Sequence, residues 1–372
     1  MFEFDFLKNN FYKNKKVLIT GHTGFKGTWL CRILLNLGAN VTGYSLQPPT
    51  QPDLFSLADV ERKMNSVIGD VRDFEHLQKV FAKTQPEIVF HLAAQPIVRE
   101  SYKAPRYTYE TNVMGTVNVL ECVRQCVSVK SVLNVTTDKV YLNRERVEGY
   151  KEEEPLDGFD PYSNSKSCSE LVTHCYKNSF FATKANLQEQ TANVGNIVAR
   201  QVAISTARAG NVIGGGDFAQ DRIIPDCVRA MQDRKTIEVR NPHSIRPYQH
   251  VLEPLAVYLM IAAKQYEDAC YSGYYNVGPD DCDCITTGEL AELFCRHWGL
   301  QAKWISKTET NAPHEANFLK LDCSLLKQTF GWLPRWHIEE AVRKTCEFSK
   351  VWLQGGSISA EMDKEIEEFF AK

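Results

Sequence analysis

Short apolar runs alternate with amphipathic stretches through most of the chain. Lys15–Thr20, Ala39–Ser45, Ser66–Asp73, Pro86–Gln95, Ser131–Tyr141, Gln201–Arg208 and Gly273–Gly278 are apolar, β-rich and bounded by turn residues, so they predict about seven strands. Between them Thr28–Gly38, Phe74–Phe81, Tyr109–Glu121 and the stretch opened by Asp160-Pro161 carry helical periodicity. Asp73 and Asp160 stand where N-caps belong, and Pro161 occupies the first helical position, where its missing N–H costs nothing. Strand and helix in alternation predict an α/β fold built on a doubly wound parallel sheet. Further on, Asp221–Met231 and Val251–Lys264 predict helices and Ile237–Arg240 a short strand. From about residue 280 the pattern becomes short helices and loops, including Thr287–Phe294 and Asp322–Lys327. A smaller domain interleaved with the first is expected, with 14–208 and 247–279 forming the sheet domain and 209–246 and 280–372 the second. Glu145–Asp157 reads as an acidic, flexible loop, and the glycine-rich Ala209–Asp217 as loop rather than core.

Composition narrows the class. The chain has 372 residues, 43% hydrophobic and 24% charged, enough to bury a sizeable core and too apolar for disorder. A formal net charge of -3 supplies no excess positive field for nucleic acid or anionic lipid. There is no uninterrupted apolar run of the ~18 residues that a membrane helix needs. Met1-Phe-Glu-Phe-Asp-Phe6 lacks the basic lead of a signal peptide. A cytoplasmic protein is expected, with its 12 cysteines as reduced, mostly buried hydrophobes. Cys282 with Cys284, or Cys122 with Cys126, lack matched His or Cys partners along the chain, so no metal is expected.

Gly21-His-Thr23-Gly24-Phe25-Lys26-Gly27 sits between the first strand and its helix. Glycines there let the backbone approach a pyrophosphate, which the helix N-terminus then holds. The expected cofactor is NAD. The second strand ends in Ser45, or Tyr44, where an acid gripping the adenosine ribose is usual, yet no arginine waits there for a 2′-phosphate. Lys26 and Arg62 are the nearby cations to consider for that role. Asp70-Val71 closes the third strand, with Asp70 placed either to accept from an adenine amino group or to cap the next helix, as Asp73 can. Leu92, Ala93, Ala94 and Gln95 end the fourth strand in mostly small side chains, which leaves room for a cofactor. Asn112 is polar beside an apolar helical stripe and reads equally as a packing amide.

The fifth strand runs into Thr136-Thr137-Asp138-Lys139. Tyr162 and Lys166, four apart on a predicted helix, share a face. An ammonium near a phenol favours the phenolate and lowers its pKa from about 10, making it a usable base.

The stretches GHTGFKG, GDVRD, HLAAQ, TTDK, YSNSK and RAGNVIGGGD resemble the extended short-chain dehydrogenase/reductase (NAD-dependent epimerase/dehydratase) family over essentially the whole chain. The resemblance implies that NAD stays bound, with Thr136, Tyr162 and Lys166 also reaching it, and that it is used twice. Tyr162 would take the proton of a sugar 4-hydroxyl, with Thr137 bonding the same oxygen; Asp138 would protonate a departing 6-hydroxyl. Lys139 stands where related dehydratases carry a glutamate base for C5. It is open whether Lys139 acts as base, steadies an enolate or simply pairs with Asp138. The lysine, Ser45-Leu-Gln-Pro-Pro-Thr50 and Gly214-Gly-Gly-Asp217 point to a branch acting on CDP-glucose. The same likeness places Asn211, Arg222 and Arg246 at the nucleotide diphosphate, with Tyr248 lining the site, and implies a homodimer or dimer of dimers. A 4-epimerase, or a dehydratase for another sugar nucleotide, would share every cofactor motif. Asp138-Lys139 argues against an epimerase, which needs no acid and base at C5 and C6.

Overall fold

The structure is a computed structural model and describes residues 4–181, 201–307 and 319–371. Seven strands, β1 (Lys16–Thr20), β2 (Asn40–Ser45), β3 (Asn65–Ile68), β4 (Ile88–His91), β5 (Ser131–Val135), β6 (Ala203–Ala209) and β7 (Tyr274–Val277), form one sheet. Their order is β7-β6-β5-β4-β1-β2-β3, every neighbouring pair parallel. Strand order reverses between β1 and β4, which opens a crevice at the carboxyl ends of the strands.

A central strand of such a sheet is covered on both faces, and β1 shows why its run is continuously apolar. Val17 and Ile19 pack into the core beneath α1 (Phe25–Asn36), while Leu18 between them faces the opposite core under α2 (Phe74–Thr84) and α3 (Gly115–Gln125). The first core also takes Leu252–Glu267, and the second the flank of α4 (Pro161–Phe180). Asp73 and Asp160 cap as their positions suggest: each side chain accepts the N–H three residues on, from His76 and Ser163. The turn before α1 is held tight by two glycines. Gly21 has φ +80°, and a Cβ on Gly27 would lie 2.1 Å from the Gly21 carbonyl oxygen, so no larger residue fits there.

A further core gathers around α5 (Ile223–Gln232), α7 (Thr287–Trp298) and α8 (Ile338–Leu353), numbering Leu252–Glu267 as α6. Two small sheets flank it: Ile237–Val239 runs parallel to Trp304–Ser306, and Ile245–Pro247 antiparallel to Cys284–Thr286.

Several expectations need correction. The glycine stretch after β6 is core: Gly214, Gly215 and Gly216 are buried, Val212–Ile213 pairs with Gln249–His250, and Trp29 donates to the Gly215 carbonyl at 3.0 Å. Glycine is needed because a Cβ on Gly215 would fall 1.9 Å from the Phe348 ring. Residues 145–157 are pinned rather than flexible, since Tyr150 is buried in a small cluster with Tyr141 and Leu321 and stacks on Tyr141. The C-terminal part ends in two long helices, α8 and α9 (Ile358–Ala371), and not only short ones. The single helix expected over 109–121 is interrupted by a π turn at Glu110–Met114, which contains Asn112. Cys282 does meet a histidine: its sulfur, Asp283 and His337 lie within 4.8 Å of one another. The Asp283 carboxylate is already engaged by Ile338 N–H at 2.9 Å and His337 Nδ1 at 2.8 Å, closing the start of α8.

Beneath the crevice lies a buried ion pair, Arg208 on β6 with Glu170 on α4, at 3.0 Å. Thr136 and Thr206 donate to the same carboxylate, and Arg208 also reaches the Tyr141 hydroxyl at 2.8 Å and Glu152 carbonyl at 2.9 Å. Removing one partner strands a buried charge. Glu170→Ala is expected to lower unfolding free energy by about 3–5 kcal/mol, read by urea denaturation; a loss below about 1 kcal/mol would show that the pair does not hold the strand ends.

Candidate active site

The carboxyl ends of β1, β4, β5 and β6, the start of α1, the first turns of α4 and the approach to α5 surround a cavity of about 1320 Å³. That exceeds the ~300–1,000 Å³ of a site for one drug-sized ligand, so two ligands can share it. Of the residues singled out from the sequence for cofactor, sugar and nucleotide, all but Asn112, Tyr44 and Arg62 line this cavity.

At one end, Ser45 Oγ lies 2.8 Å from Thr23 Oγ1 on the cavity wall. Tyr44 is fully buried, its hydroxyl donating to the Asp70 carbonyl at 2.9 Å, so Ser45 is the side chain presented at the strand end. Burial alone would raise the Asp70 carboxyl, but Arg72, bonded to it from Nε, Nη2 and the backbone N–H, holds it below the usual range. Arg62 is exposed and pairs with Asp59, and it does not line the cavity. Lys26 lies at the other end, among Arg222, Lys166, Asp138 and Lys139, and so is misplaced as a 2′-phosphate ligand. A Cβ on Gly24 would meet nothing nearer than the Gly21 oxygen at 3.5 Å, so that face of the turn is open to the cavity. Open glycine backbone at a helix N-terminus suits a dinucleotide pyrophosphate.

At the other end, β5 stops at Val135 and the chain folds into a single turn at Asp138–Val140, which turns three consecutive side chains on one another. Thr137 donates to Asp138 Oδ1 at 2.9 Å, and Lys139 Nζ approaches the same oxygen at 3.2 Å. Asp138 is fully buried, and its Oδ2 is without a hydrogen-bond partner among the described residues. The Tyr162 phenol is pushed up to about 12 by burial and by Asp138, while hydrogen bonding with Thr137 and the charge of Arg222 pull the other way. The Lys166 ammonium donates to the Val135 carbonyl at 3.0 Å, and burial pulls it down to about 8 against the pull of Glu170. Thr136, at the end of β5, is tied to Glu170.

Along the remaining wall, Arg222 pairs with Asp217 at 3.0 Å, and the Asn211 backbone carbonyl accepts from the Gln249 N–H at 3.0 Å. Arg246 is buried, donating to the Ile245 carbonyl at 2.9 Å, and Tyr248 bonds Thr287 Oγ1 at 3.2 Å. Sequence reasoning passed over Arg240, which lines this wall and pairs with Asp221 and Asp226. It also passed over Glu170, although four residues beyond Lys166 is the same helical face.

Asn112 stands behind the cavity. Its side chain accepts from the Gln95 N–H at 2.8 Å and donates to the Gln95 carbonyl at 3.1 Å and Ser165 Oγ at 2.9 Å. It is a clamp on the strand-end backbone and not a cofactor contact.

With this geometry the comparisons with known proteins agree. The family described as GDP-mannose 4,6 dehydratase matches residues 18–345. The chain belongs to this family. Among its relatives, the CDP-glucose 4,6-dehydratase of Salmonella typhimurium is 46% identical over 98% of this chain and 99% of its own. A probable dTDP-glucose 4,6-dehydratase of Sinorhizobium fredii is 25% identical over 90% and 92%. Solved structures share the fold: dTDP-glucose 4,6-dehydratase of Bacillus anthracis in complex with NAD gives a TM-score of 0.71 at 19% identity, covering 90% of this chain and 96% of that one. UDP-glucose 4-epimerase of Thermotoga maritima with UDP-glucose gives 0.73 at 21%, covering 91% and 99%.

Asn112→Ala leaves the buried N–H and carbonyl of Gln95 without partners, each a cost of about 1–3 kcal/mol. The variant is expected to unfold at lower urea and to lose bound dinucleotide on gel filtration more readily than the wild type. Unchanged stability would mean that the clamp is dispensable.

Proposed function

We propose that the protein converts CDP-glucose to CDP-4-keto-6-deoxyglucose, with NAD as its bound redox cofactor. The observation that carries this is the convergence of Thr137, Asp138, Lys139 and Tyr162 on one wall of a two-ligand cavity, in a chain 46% identical over nearly its whole length to a CDP-glucose 4,6-dehydratase. Bound NAD supplies the acceptor for the C4 hydride and the donor that later reduces C6. Tyr162, held at the cavity by the first turn of α4, takes the proton of the 4-hydroxyl; its raised pKa means that cationic neighbours, Arg222 first, have to favour the phenolate. Thr137 bonds the same sugar oxygen. The 4-ketone acidifies the hydrogen at C5, so its proton passes to the free amine of Lys139, whose ammonium then steadies the enolate, and water leaves across C5 and C6. Asp138, buried with one oxygen unpartnered, supplies the proton to the departing 6-hydroxyl. Its 3.2 Å pairing with Lys139 supports a lysine that steadies the enolate charge from the carboxylate's side.

Lys26 lies among Arg222, Lys166, Asp138 and Lys139, and Arg62 pairs with Asp59 and does not line the cavity, which favours NAD over NADP. Among the described residues no helix is long and apolar enough to cross a membrane. A cytoplasmic homodimer, or dimer of dimers, supplying deoxysugars for lipopolysaccharide O-antigen belongs to this same reading.

Incubated with CDP-glucose in deuterated water, the protein is expected to yield a 4-keto-6-deoxy product with solvent deuterium at C5 and the former C4 hydrogen at C6, read by NMR. Recovery of a 4-epimer would overturn the assignment. Tyr162→Phe is expected to cut turnover by about 10²–10⁴-fold, the usual worth of a positioned acid or base. Lys139→Glu sets a second carboxylate beside Asp138; the fold is expected to survive while the 4-keto intermediate, still hydroxylated at C6, accumulates. Wild-type turnover with no accumulation would remove the special role of Lys139.

A further inference from the structure

Lys26 is in the first turn of α1, immediately after the open glycine turn, and lines the cavity. Four cations converge on this end of the cleft: Lys26, Lys139, Lys166 and Arg222. Three are engaged by the protein. Lys139 pairs with Asp138, Arg222 with Asp217, and Lys166 donates to the Val135 carbonyl. Among the described residues, the Lys26 ammonium has no hydrogen-bond acceptor or ion-pair carboxylate; it has the Tyr258 ring, 6.0 Å from its nitrogen. That is the outer limit of a cation–π contact and satisfies none of the three N–H donors. Burial, then the charges of Arg222 and Lys166, pull Lys26 down to about 7, with Asp138 opposing and Lys139 adding to the fall. An ammonium with no acceptor of its own, set beside three further cations in a half-buried cleft, adds nothing to stability, because it costs desolvation and meets their repulsion. The compensating charge has to come with a ligand.

We propose that Lys26 is an anion-binding residue of the active site, its ammonium taking a phosphate oxygen of a diphosphate held beside Arg222. The assignment rests on the reading of the protein as a nucleotide-sugar dehydratase, in which both ligands carry a diphosphate. Position favours this chemistry over a sugar hydroxyl: the first-turn N–H groups and positive end of α1 already favour an anion, and Arg222 is the first charged neighbour of Lys26. Placed among the reaction-centre side chains, Lys26 can serve the substrate's diphosphate or the nicotinamide side of the cofactor's. A bound polyanion would also return the lysine to its charged state, so that binding and protonation reinforce each other.

The test compares wild type, Lys26→Met and Lys26→Arg, each first checked by thermal melting for an intact fold, with Lys26→Gln as the substitute if methionine unfolds the chain. CDP is titrated calorimetrically into NAD-loaded protein, and NAD affinity is measured separately on stripped protein. Loss of a charge-assisted hydrogen bond should weaken binding about tenfold or more in one of the two titrations, with arginine restoring most of it. Weakened CDP binding assigns Lys26 to the substrate, and weakened NAD binding to the cofactor. Unchanged affinity for both overturns the proposal, including the case in which only kcat falls, since that would put Lys26 on the reacting sugar. Wild-type turnover of CDP-glucose is scored independently, so failure of the functional reading is told apart from failure of this one.

Discussion

The active site depends on a charge that never touches the cavity floor. Arg208 and Glu170 are buried together where β5, β6 and α4 meet, and Glu170 also receives the hydroxyls of Thr136 and Thr206. The carboxylate therefore fastens two strand ends to the helix that carries Tyr162 and Lys166. Arg208 extends the same network to Tyr141 and to the backbone of Glu152, which is why the acidic segment over 145–157 lies packed against the sheet. Apart from Arg208 Nε, which has no partner among the described residues, its groups are satisfied only while the others are in place, and a network of this kind defines one arrangement more than it adds stability.

Above that support the site is a set of cations gathered around one buried carboxylate. Asp138 is the carboxylate at the centre, with Lys139 on one of its oxygens and Thr137 donating to the same atom. Tyr162 sits where burial opposes its ionisation and Arg222 assists it.

Much of this was readable from the chain because the signals were local. The glycine turn, the caps at Asp73 and Asp160, and the Tyr162/Lys166 spacing involve neighbours along the sequence, and each is governed by backbone geometry that three to seven residues can specify. Readings that failed concerned direction or burial. The glycines from 214 to 216 look like a loop by composition, yet they are small because Phe348, Leu54 and Val251 pack against them. Asn112 was compatible with either a packing or a ligand role, and only the position of Gln95 decides between them.

By itself the sequence determined the alternation that makes a doubly wound sheet, the glycine turn after its first strand, and the set of polar residues at the strand ends. These follow from periodicity and turn chemistry, which do not depend on distant partners. The tertiary structure alone decided where the charges point. Lys26 stands five residues from Gly21 in a cofactor motif, yet its ammonium lies among Arg222, Lys166, Asp138 and Lys139; Lys166 turns to a backbone carbonyl of β5 while Arg222, sixty residues beyond Tyr162, acts on the phenol. Long side chains reach several ångströms from their backbone, and their partners come from elements far apart in the chain, so their electrostatics exist only once the fold has brought those elements together.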